Sequence, residues 1–131
     1  MADLKAGDAV PELRVTPDKY LTTRYAGASG DFNPIHVDAD FAQSVGLPSN
    51  ILHGLYSMGL VAKAAAQGLA GGDPRALKKL TVQFRGMGLP EQEIVVTGAV
   101  KEVDGDRVTV DLEAAQGDNR IIRNGQAELE L

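Results

Sequence analysis

The chain has 131 residues, of which 44% are hydrophobic and 24% charged. This is the length of one domain and the composition of an ordinary globular protein, so intrinsic disorder is excluded. The formal net charge of -5 argues against binding to nucleic acid or anionic membranes through overall charge. The absence of cysteine excludes disulfides, thiolate metal sites and cysteine nucleophiles. No apolar run has signal-peptide or membrane-spanning length, so we expect a cytoplasmic protein without a membrane partner.

The first elements predicted are an edge strand and a helix. Apolar residues alternate imperfectly over residues 9–15, which predicts a weak edge strand. Thr16-Pro17-Asp18 is typical of a helix start, with a capping hydroxyl, a proline at the first helical position and an acid in the first turn. Apolar residues continue at helical spacing, and Ser29-Gly30 ends this helix.

A loop, a short helix and a long helix follow. Residues 30–36 are not expected to form regular helix, because Pro34 favours an extended conformation of the residue before it. Asp38 caps a short helix that ends near Val45. The long helix runs from His53-Gly54 to about Leu69, and its many small residues predict that other structure surrounds it. Its predicted apolar stripe consists of Leu55, Met58, Val61, Ala62, Ala65 and Leu69.

The second half of the chain predicts four antiparallel strands joined by short turns. The alternating apolar residues lie at 80–84, 94–100, 108–114 and 127–131. Asp104-Gly105-Asp106 and Gly117-Asp118-Asn119 are typical of tight turns. Consecutive hairpins form a meander. A meander beside one long buried helix predicts an α+β fold in which a curved antiparallel sheet wraps around a central helix.

Two polar features could carry chemistry. Asp31, Asn33 and His36 lie within six residues in the proline-containing loop. A carboxylate and an imidazole held together can share a water molecule, which is the minimum equipment for adding water to an activated double bond. The second feature is His53-Gly54 at the start of the long helix, where unpaired N–H groups and the helix dipole would stabilise a developing oxyanion.

Structural interpretations of these residues stay open at this point. Asp31 could serve plain turn chemistry, and His36 could have a structural role. His53 could cap its helix or satisfy a buried carbonyl, which is the favoured interpretation for that residue. The spacing of the acids and histidines matches no familiar metal site, so we expect no metal.

Residues 25–38 resemble the signature of MaoC-like dehydratases, the hot-dog-fold (R)-specific enoyl-CoA hydratases. The core of that signature is G-D-x-N-P-[aliphatic]-H-x-[acid], and residues 30–38 contain it without a gap. Leu52-His53-Gly54-Leu55 is similar to the helix-opening segment of the family, and the final strand contains Gly125-Gln126-Ala127. Residues 25–59 look most similar to small actinobacterial (3R)-hydroxyacyl-ACP dehydratase subunits. The segment at 86–91 departs from the family pattern, so we expect a differently shaped loop there.

The resemblance implies one MaoC-like hot-dog domain over residues 1–131. It implies reversible hydration and dehydration of trans-2-enoyl and (3R)-3-hydroxyacyl thioesters of CoA or acyl carrier protein, without a cofactor. Asp31 and His36 match the catalytic pair, and Gly54 matches the backbone donor to the thioester carbonyl. Ser29 and Asn33 would shape the site.

The resemblance also implies a homodimer, with a heterodimer of related hot-dog subunits as the alternative. The residues proposed for an acyl tunnel are Tyr56, Met58, Phe84, Met87 and Leu89. Candidates for binding an anionic carrier are Lys78, Lys79, Arg85 and Arg123. A hot-dog acyl thioesterase and a non-catalytic acyl-binding subunit remain as alternative functions. The intact D-x-N-P-x-H pattern argues against both.

Overall fold

A long helix packed against a five-stranded antiparallel sheet dominates the computed structural model, which describes residues 3–131. The strands are β1 (Ala9–Val15), β2 (Leu77–Phe84), β3 (Ile94–Asp104), β4 (Arg107–Gln116) and β5 (Asn119–Glu130). The helices are α1 (Leu21–Ser29), α2 (Pro34–Val37), α3 (Ala39–Ser44) and α4 (Gly54–Leu69). Helix α4 contacts all five strands. The predicted α+β architecture, a curved sheet around one long helix, is confirmed.

The face of α4 that packs on the sheet is lined mainly by small residues. Its buried residues are Ser57, Leu60, Val61, Ala64, Ala65, Ala66 and Leu69. The predicted stripe was wrong at Leu55, which is 64% exposed. Met58 and Ala62 are half-buried, and Met58 packs against the core. The buried residues recur at intervals of three and four, which is the spacing of one helix face. Within residues 3–131, no helix has the length and hydropathy of a membrane span.

Two glycines allow the sheet to bend around α4. Gly98 on β3 and Gly125 on β5 are the cross-strand partners of Leu112 on β4. A Cβ at Gly98 would lie 2.5 Å from the carbonyl oxygen of Asp111 and 2.6 Å from Leu112 Cδ2. At Gly125 it would lie 2.7 Å from the carbonyl oxygen of Leu112. The aligned residues Gly98, Leu112 and Gly125 therefore form a glycine kink, which introduces curvature into the sheet.

The predicted helix start at Thr16-Pro17-Asp18 is wrong, because α1 begins at Leu21. The carboxylate of Asp18 accepts a hydrogen bond of 2.8 Å from the Tyr20 N–H, which closes a turn before the helix. The carbonyl of Pro17 accepts from the Glu91 N–H at 2.7 Å, so this segment is held to the β2–β3 loop. The helix-start residues are used for a turn and a tertiary contact.

The loop predicted at residues 30–36 is interrupted by one helical turn, α2. Asn33 is extended, as the following proline requires, and its side chain accepts from the Ile35 N–H at the helix start. Pro34 occupies the first turn, where its missing N–H costs nothing. The prediction of no helix before residue 37 is therefore wrong, whereas the Asp38 cap of α3 is confirmed by a 3.1 Å bond from the Phe41 N–H.

The predicted four-strand meander is correct only for β3, β4 and β5. The strand order is β1-β3-β4-β5-β2. Strand β2 pairs with β5 and not with β3, which follows it in the chain. Strand β5 begins at Asn119, eight residues earlier than the alternation at 127–131 indicates. The two predicted hairpin turns are present, with positive φ at Gly105 and Gly117.

The glycine kink predicts opposite effects of two Gly→Ala substitutions on stability. Gly98→Ala should lower the free energy of unfolding by about 1–3 kcal/mol, because the added methyl group has no room. Gly59→Ala is the matched control, since Gly59 lies in α4 with nothing within 4 Å of an added Cβ. It should raise stability by about 0.5–1 kcal/mol through helix propensity. Urea unfolding of both variants measures this, and an unchanged Gly98→Ala variant would contradict the steric interpretation.

Candidate active site

The end of α1 sets the position of Asp31. Gly30 adopts the left-handed conformation with φ 79°, and its N–H bonds to the carbonyl of Ala26. A residue without a Cβ suits this conformation. The Ser29 hydroxyl then accepts the Asp31 N–H at 3.1 Å. Ser29 thus holds the main chain of Asp31.

Hydrogen bonds within the loop orient the Asp31 carboxylate. Its Oδ1 atom accepts from the Asn33 N–H at 3.2 Å. The Asn33 side chain is used in turn for the cap of α2. The Asp31 side chain is 52% exposed, and its Oδ2 atom lies 3.7 Å from Nε2 of His36. Asn33 therefore fixes the loop through both its main chain and its side chain, and Oδ2 faces the imidazole.

A backbone carbonyl fixes the ring of buried His36. Its Nδ1 atom lies 2.9 Å from the carbonyl oxygen of Ile51. Because a carbonyl only accepts, Nδ1 carries the proton, and Nε2 of the neutral ring has a lone pair directed towards Asp31. The separation of 3.7 Å between Nε2 and Oδ2 is too long for a direct hydrogen bond. It leaves two acceptors spaced to bind the two hydrogens of one water molecule.

His53 joins the segment that precedes α4 to the Asp31 loop. Its Nε2 atom lies 3.0 Å from the main-chain oxygen of Asp31. Its ring stacks on that of His36, with centroids 4.0 Å apart and planes 21° apart. The interpretation that His53 satisfies a buried carbonyl is thus the one the geometry favours, and its side chain makes no capping bond. Within residues 3–131, its Nδ1 is the one buried side-chain nitrogen or oxygen without a partner.

The N-terminus of α4 opens into the same site. Among the described residues, the Gly54 N–H forms no hydrogen bond, as expected in the first turn of a helix. The Phe84 ring lies over Gly54, where an added Cβ would be 3.2 Å from its Cε1 atom. A pocket of about 290 Å³ lies here. It is lined by Tyr25, Ser29, Asp31, His53, Gly54, Leu55 and Phe84.

The residues proposed for an acyl tunnel are placed in different surroundings. Phe84 alone among them lines the pocket. Tyr56 and Met58 pack against the core, and burial raises the pKa of the Tyr56 hydroxyl, with a smaller contribution from Asp18. Met87 and Leu89 lie in the β2–β3 loop, where Asn119 donates to the Met87 carbonyl at 2.8 Å.

The four basic candidates are also dispersed. Arg85 directly follows Phe84 and bonds to the Gln83 side chain. Lys78 and Lys79 begin β2, roughly 20 Å along the strand from Phe84, and Lys79 pairs with Glu128 at 3.9 Å. Arg123 lines a separate groove over β3, β4 and β5. None of the four basic candidates is among the residues that line the pocket.

Two pocket residues were not singled out as site residues from the sequence. Tyr25 lies four residues before Ser29, so helical spacing places both on one face of α1. That spacing could have identified Tyr25 as a residue of the site. Leu55 follows Gly54 and was assigned to the apolar stripe, whereas it is exposed at the pocket.

Asp31, His36 and His53 each offer one possible metal-ligand atom, and these atoms lie within 4.8 Å of one another. A bound ion lies near the plane of each imidazole that coordinates it. Two nearly parallel rings stacked 4.0 Å apart share no such point. The geometry of the two histidines therefore does not fit joint coordination of one ion.

Known proteins share both the sequence pattern and the fold. Residues 5–119 match the family model for the MaoC like domain. Enoyl-CoA hydratase ChsH3 of Mycobacterium tuberculosis is 30% identical over 125 residues, which are 95% of this chain and 42% of that enzyme. The chain spans less than half the length of the curated relatives that it matches.

Solved structures give the same result. The unliganded R-hydratase PhaJ1 of Pseudomonas aeruginosa superimposes with a TM-score of 0.86 and 26% identity, over 98% of this chain and 83% of that one. The ChsH1–ChsH2 complex of Mycobacterium tuberculosis shares the fold, with a TM-score of 0.86 and 21% identity over 100% of this chain and 99% of that one. The resemblance found in residues 25–38 is confirmed, and the chain belongs to the MaoC-like family of hot-dog proteins.

Proposed function

We propose that this protein catalyses the reversible hydration of trans-2-enoyl thioesters to (3R)-3-hydroxyacyl thioesters, with residues 1–131 acting as one catalytic domain. One observation carries the proposal. Asp31 and His36 present two acceptor atoms 3.7 Å apart, beside a pocket that also receives the free N-terminus of α4. Base, acid and oxyanion donor are thus present in one place.

The paired acceptors bind and activate the water molecule. The water donates one hydrogen to Oδ2 of Asp31 and the other to Nε2 of His36. As its oxygen forms a bond to the β-carbon, one of the two groups takes a proton. The proton taken up by the pair is then delivered to the α-carbon on the same face, so that the elements of one water are added overall and the pair returns to its starting state. Dehydration follows the same steps in reverse, and positioned acid–base groups of this kind contribute roughly 10²–10⁴ in rate.

The Gly54 N–H stabilises the charge that develops on the thioester oxygen. Attack at the β-carbon moves electron density onto that oxygen, which becomes enolate-like. The first N–H groups of α4 are free to donate to it, and the helix dipole favours negative charge at this end. The thioester itself activates the double bond, so the proposed reaction uses no cofactor.

The family supports an acyl thioester as the substrate. The names of two relatives, enoyl-CoA hydratase ChsH3 and R-hydratase PhaJ1, describe the proposed chemistry. The carrier is CoA or acyl carrier protein. Both carriers are anionic, and Arg85, which follows the pocket residue Phe84 in the chain, is the candidate cation for binding them.

Removing either member of the acid–base pair should abolish most of the activity. Asp31→Asn and His36→Ala should each lower kcat at least 100-fold, because the amide cannot take up a proton as the carboxylate can and alanine removes the imidazole. The loss of enoyl absorbance on mixing with crotonyl-CoA measures hydration. Thermal unfolding of each variant serves as the control for folding.

The alternative functions give different outcomes in this assay. A thioesterase would release free thiol from crotonyl-CoA, and an acyl-binding subunit would bind the thioester without changing its absorbance. Near-full hydration by the Asp31→Asn variant would remove that carboxylate from the mechanism. If wild-type protein is inactive towards crotonyl-CoA, longer enoyl chains and enoyl-ACP are tested, and inactivity with all of them would contradict the proposed function.

The oxyanion role of Gly54 can be tested without disturbing the helix. Gly54→Pro removes the N–H at the first helical position, where proline is favoured, and His53 before it already has the extended ψ of 135°. This variant should lose roughly 10²–10³ in kcat. Gly54→Ala is the matched control, because it adds a Cβ near Phe84 and keeps the N–H. Equal losses in both variants would indicate crowding by the side chain instead of loss of the donor.

We further propose that two copies of this chain pair through their β2 strands into one continuous sheet. Strand β2 lies at one end of the strand order, and its outer edge pairs with no other strand formed by residues 3–131. Such an edge is a template for another strand. The exposed side chains of Leu55 and Phe84 lie near the end of β2. Sedimentation equilibrium should give twice the mass of the chain, and a single-chain mass would contradict the homodimer.

A further inference from the structure

We propose that His53 is a positioning residue, which holds Asp31 and His36 in place for hydration. It does so in the tautomer opposite to that of His36. This inference rests on the hydratase function proposed above. His53 lines the pocket but takes and gives no proton in the proposed mechanism. It would act through the main chain of Asp31 and through the ring of His36.

The first part of the argument is the bond from His53 to Asp31. The acceptor is the main-chain carbonyl of Asp31, 3.0 Å from Nε2 of His53. On its other side, the Asp31 N–H is held by the Ser29 hydroxyl at 3.1 Å. Asp31 lies in a loop, and its side chain is half-exposed. The two bonds therefore fix the peptide groups on either side of Asp31, in addition to the bond from the Asn33 N–H that orients its carboxylate.

The second part is the stacking of the two imidazoles. The His53 ring covers one face of the His36 ring at 4.0 Å, while the Tyr25 ring lies 4.7 Å from His53 on the pocket side. His36 also has its Nδ1 atom on the Ile51 carbonyl. Since one edge and one face of His36 are both restrained, Nε2 is kept directed at Asp31.

The third part concerns the proton on each ring. The carbonyl of Asp31 only accepts, so Nε2 of His53 carries the proton and Nδ1 has the lone pair. In the other tautomer, a lone pair on Nε2 would face the carbonyl oxygen, and a buried Nδ1–H would have no acceptor among residues 3–131. His36 has the reverse arrangement, with its proton on Nδ1. The two stacked rings are thus held in opposite tautomers by two backbone carbonyls.

Helix capping does not account for His53. It occupies the N-cap position of α4, yet its side chain makes no bond to the first turn of that helix. The side chain points instead to the Asp31 loop, twenty-two residues earlier in the chain. Since Gly54 is the next residue, this one position links the acid–base pair to the oxyanion donor.

The tautomers can be measured directly, because His36 and His53 are the two histidines in the sequence. Long-range ¹H–¹⁵N correlation spectra of ¹⁵N-histidine-labelled protein resolve the protonated nitrogen of each neutral ring at alkaline pH. We expect one Nδ1–H ring and one Nε2–H ring, with His53→Gln used to assign the signals. Two rings in the same tautomer would overturn the proposal, and this readout does not depend on activity.

A matched pair of variants tests the positioning role. Gln and Met have similar shapes, but glutamine retains an N–H donor near the place of Nε2 and methionine has none. Both variants remove the stacked ring, so they differ mainly in the bond to Asp31. His53→Met should lower kcat for crotonyl-CoA hydration about 10–100-fold, with KM changed less than about threefold, because misplaced catalytic groups are costly. The kcat of His53→Gln should be at least about fivefold higher than that of His53→Met.

The outcomes separate this inference from the proposed function. A wild-type kcat in His53→Met, or equal losses in the two variants at equal thermal stability, would overturn the positioning role while leaving hydration established. If His53→Met unfolds, the comparison of His53→Gln with wild type decides, and an increased KM at unchanged kcat would overturn the proposal. Wild-type protein that hydrates neither enoyl-CoA nor enoyl-ACP would overturn the proposed function, and the role of His53 with it.

Discussion

The candidate site depends on one extended segment, residues 50–53, which is hydrogen-bonded along the loop that contains the acid–base pair. Four bonds join this segment to residues 31–36: Ile51 N–H to the Ile35 carbonyl (2.9 Å), His36 Nδ1–H to the Ile51 carbonyl (2.9 Å), Asn50 Nδ2–H to the His36 carbonyl (3.2 Å) and His53 Nε2–H to the Asp31 carbonyl (3.0 Å). The segment continues directly into α4. Its position therefore sets the distance between the acid–base pair and the free N–H groups of the helix.

The sheet holds this segment from the other side. The Leu52 N–H donates to the Gly88 carbonyl at 2.8 Å, and buried Gln116 at the end of β4 makes three bonds to the main chain of Leu89 and Gln92. This arrangement leaves the buried Nδ1 of His53 without a hydrogen-bond partner among residues 3–131. A buried polar group without a partner is unfavourable by about 1–3 kcal/mol. The surrounding bonds offset that cost, and the geometry of the site is retained.

Local patterns predicted the parts of the molecule that local interactions determine. The polar cluster in residues 30–36 and the long helix from Gly54 could both be predicted. Each depends on residues that are close together in the sequence. The bond between His53 and Asp31 spans twenty-two residues, and the contacts of Gln116 span at least twenty-four. No short window contains both partners, so these could not be derived. The start of α1 was misplaced for the same reason, since Glu91 holds Pro17 from the β2–β3 loop.

The strand order also determines when this fold can form. Within residues 3–131, strand β2 pairs only with β5, which follows β3 and β4 in the chain and lies between β4 and β2 in the sheet. During synthesis, β2 and the Phe84 side of the pocket must wait until β5 has left the ribosome. Pairing of strands distant in sequence is intrinsically slow and leaves apolar edges exposed in the meantime. Formation of the pocket therefore follows the synthesis of β5, and a nascent chain that lacks β5 has an unpaired β2 and half a site.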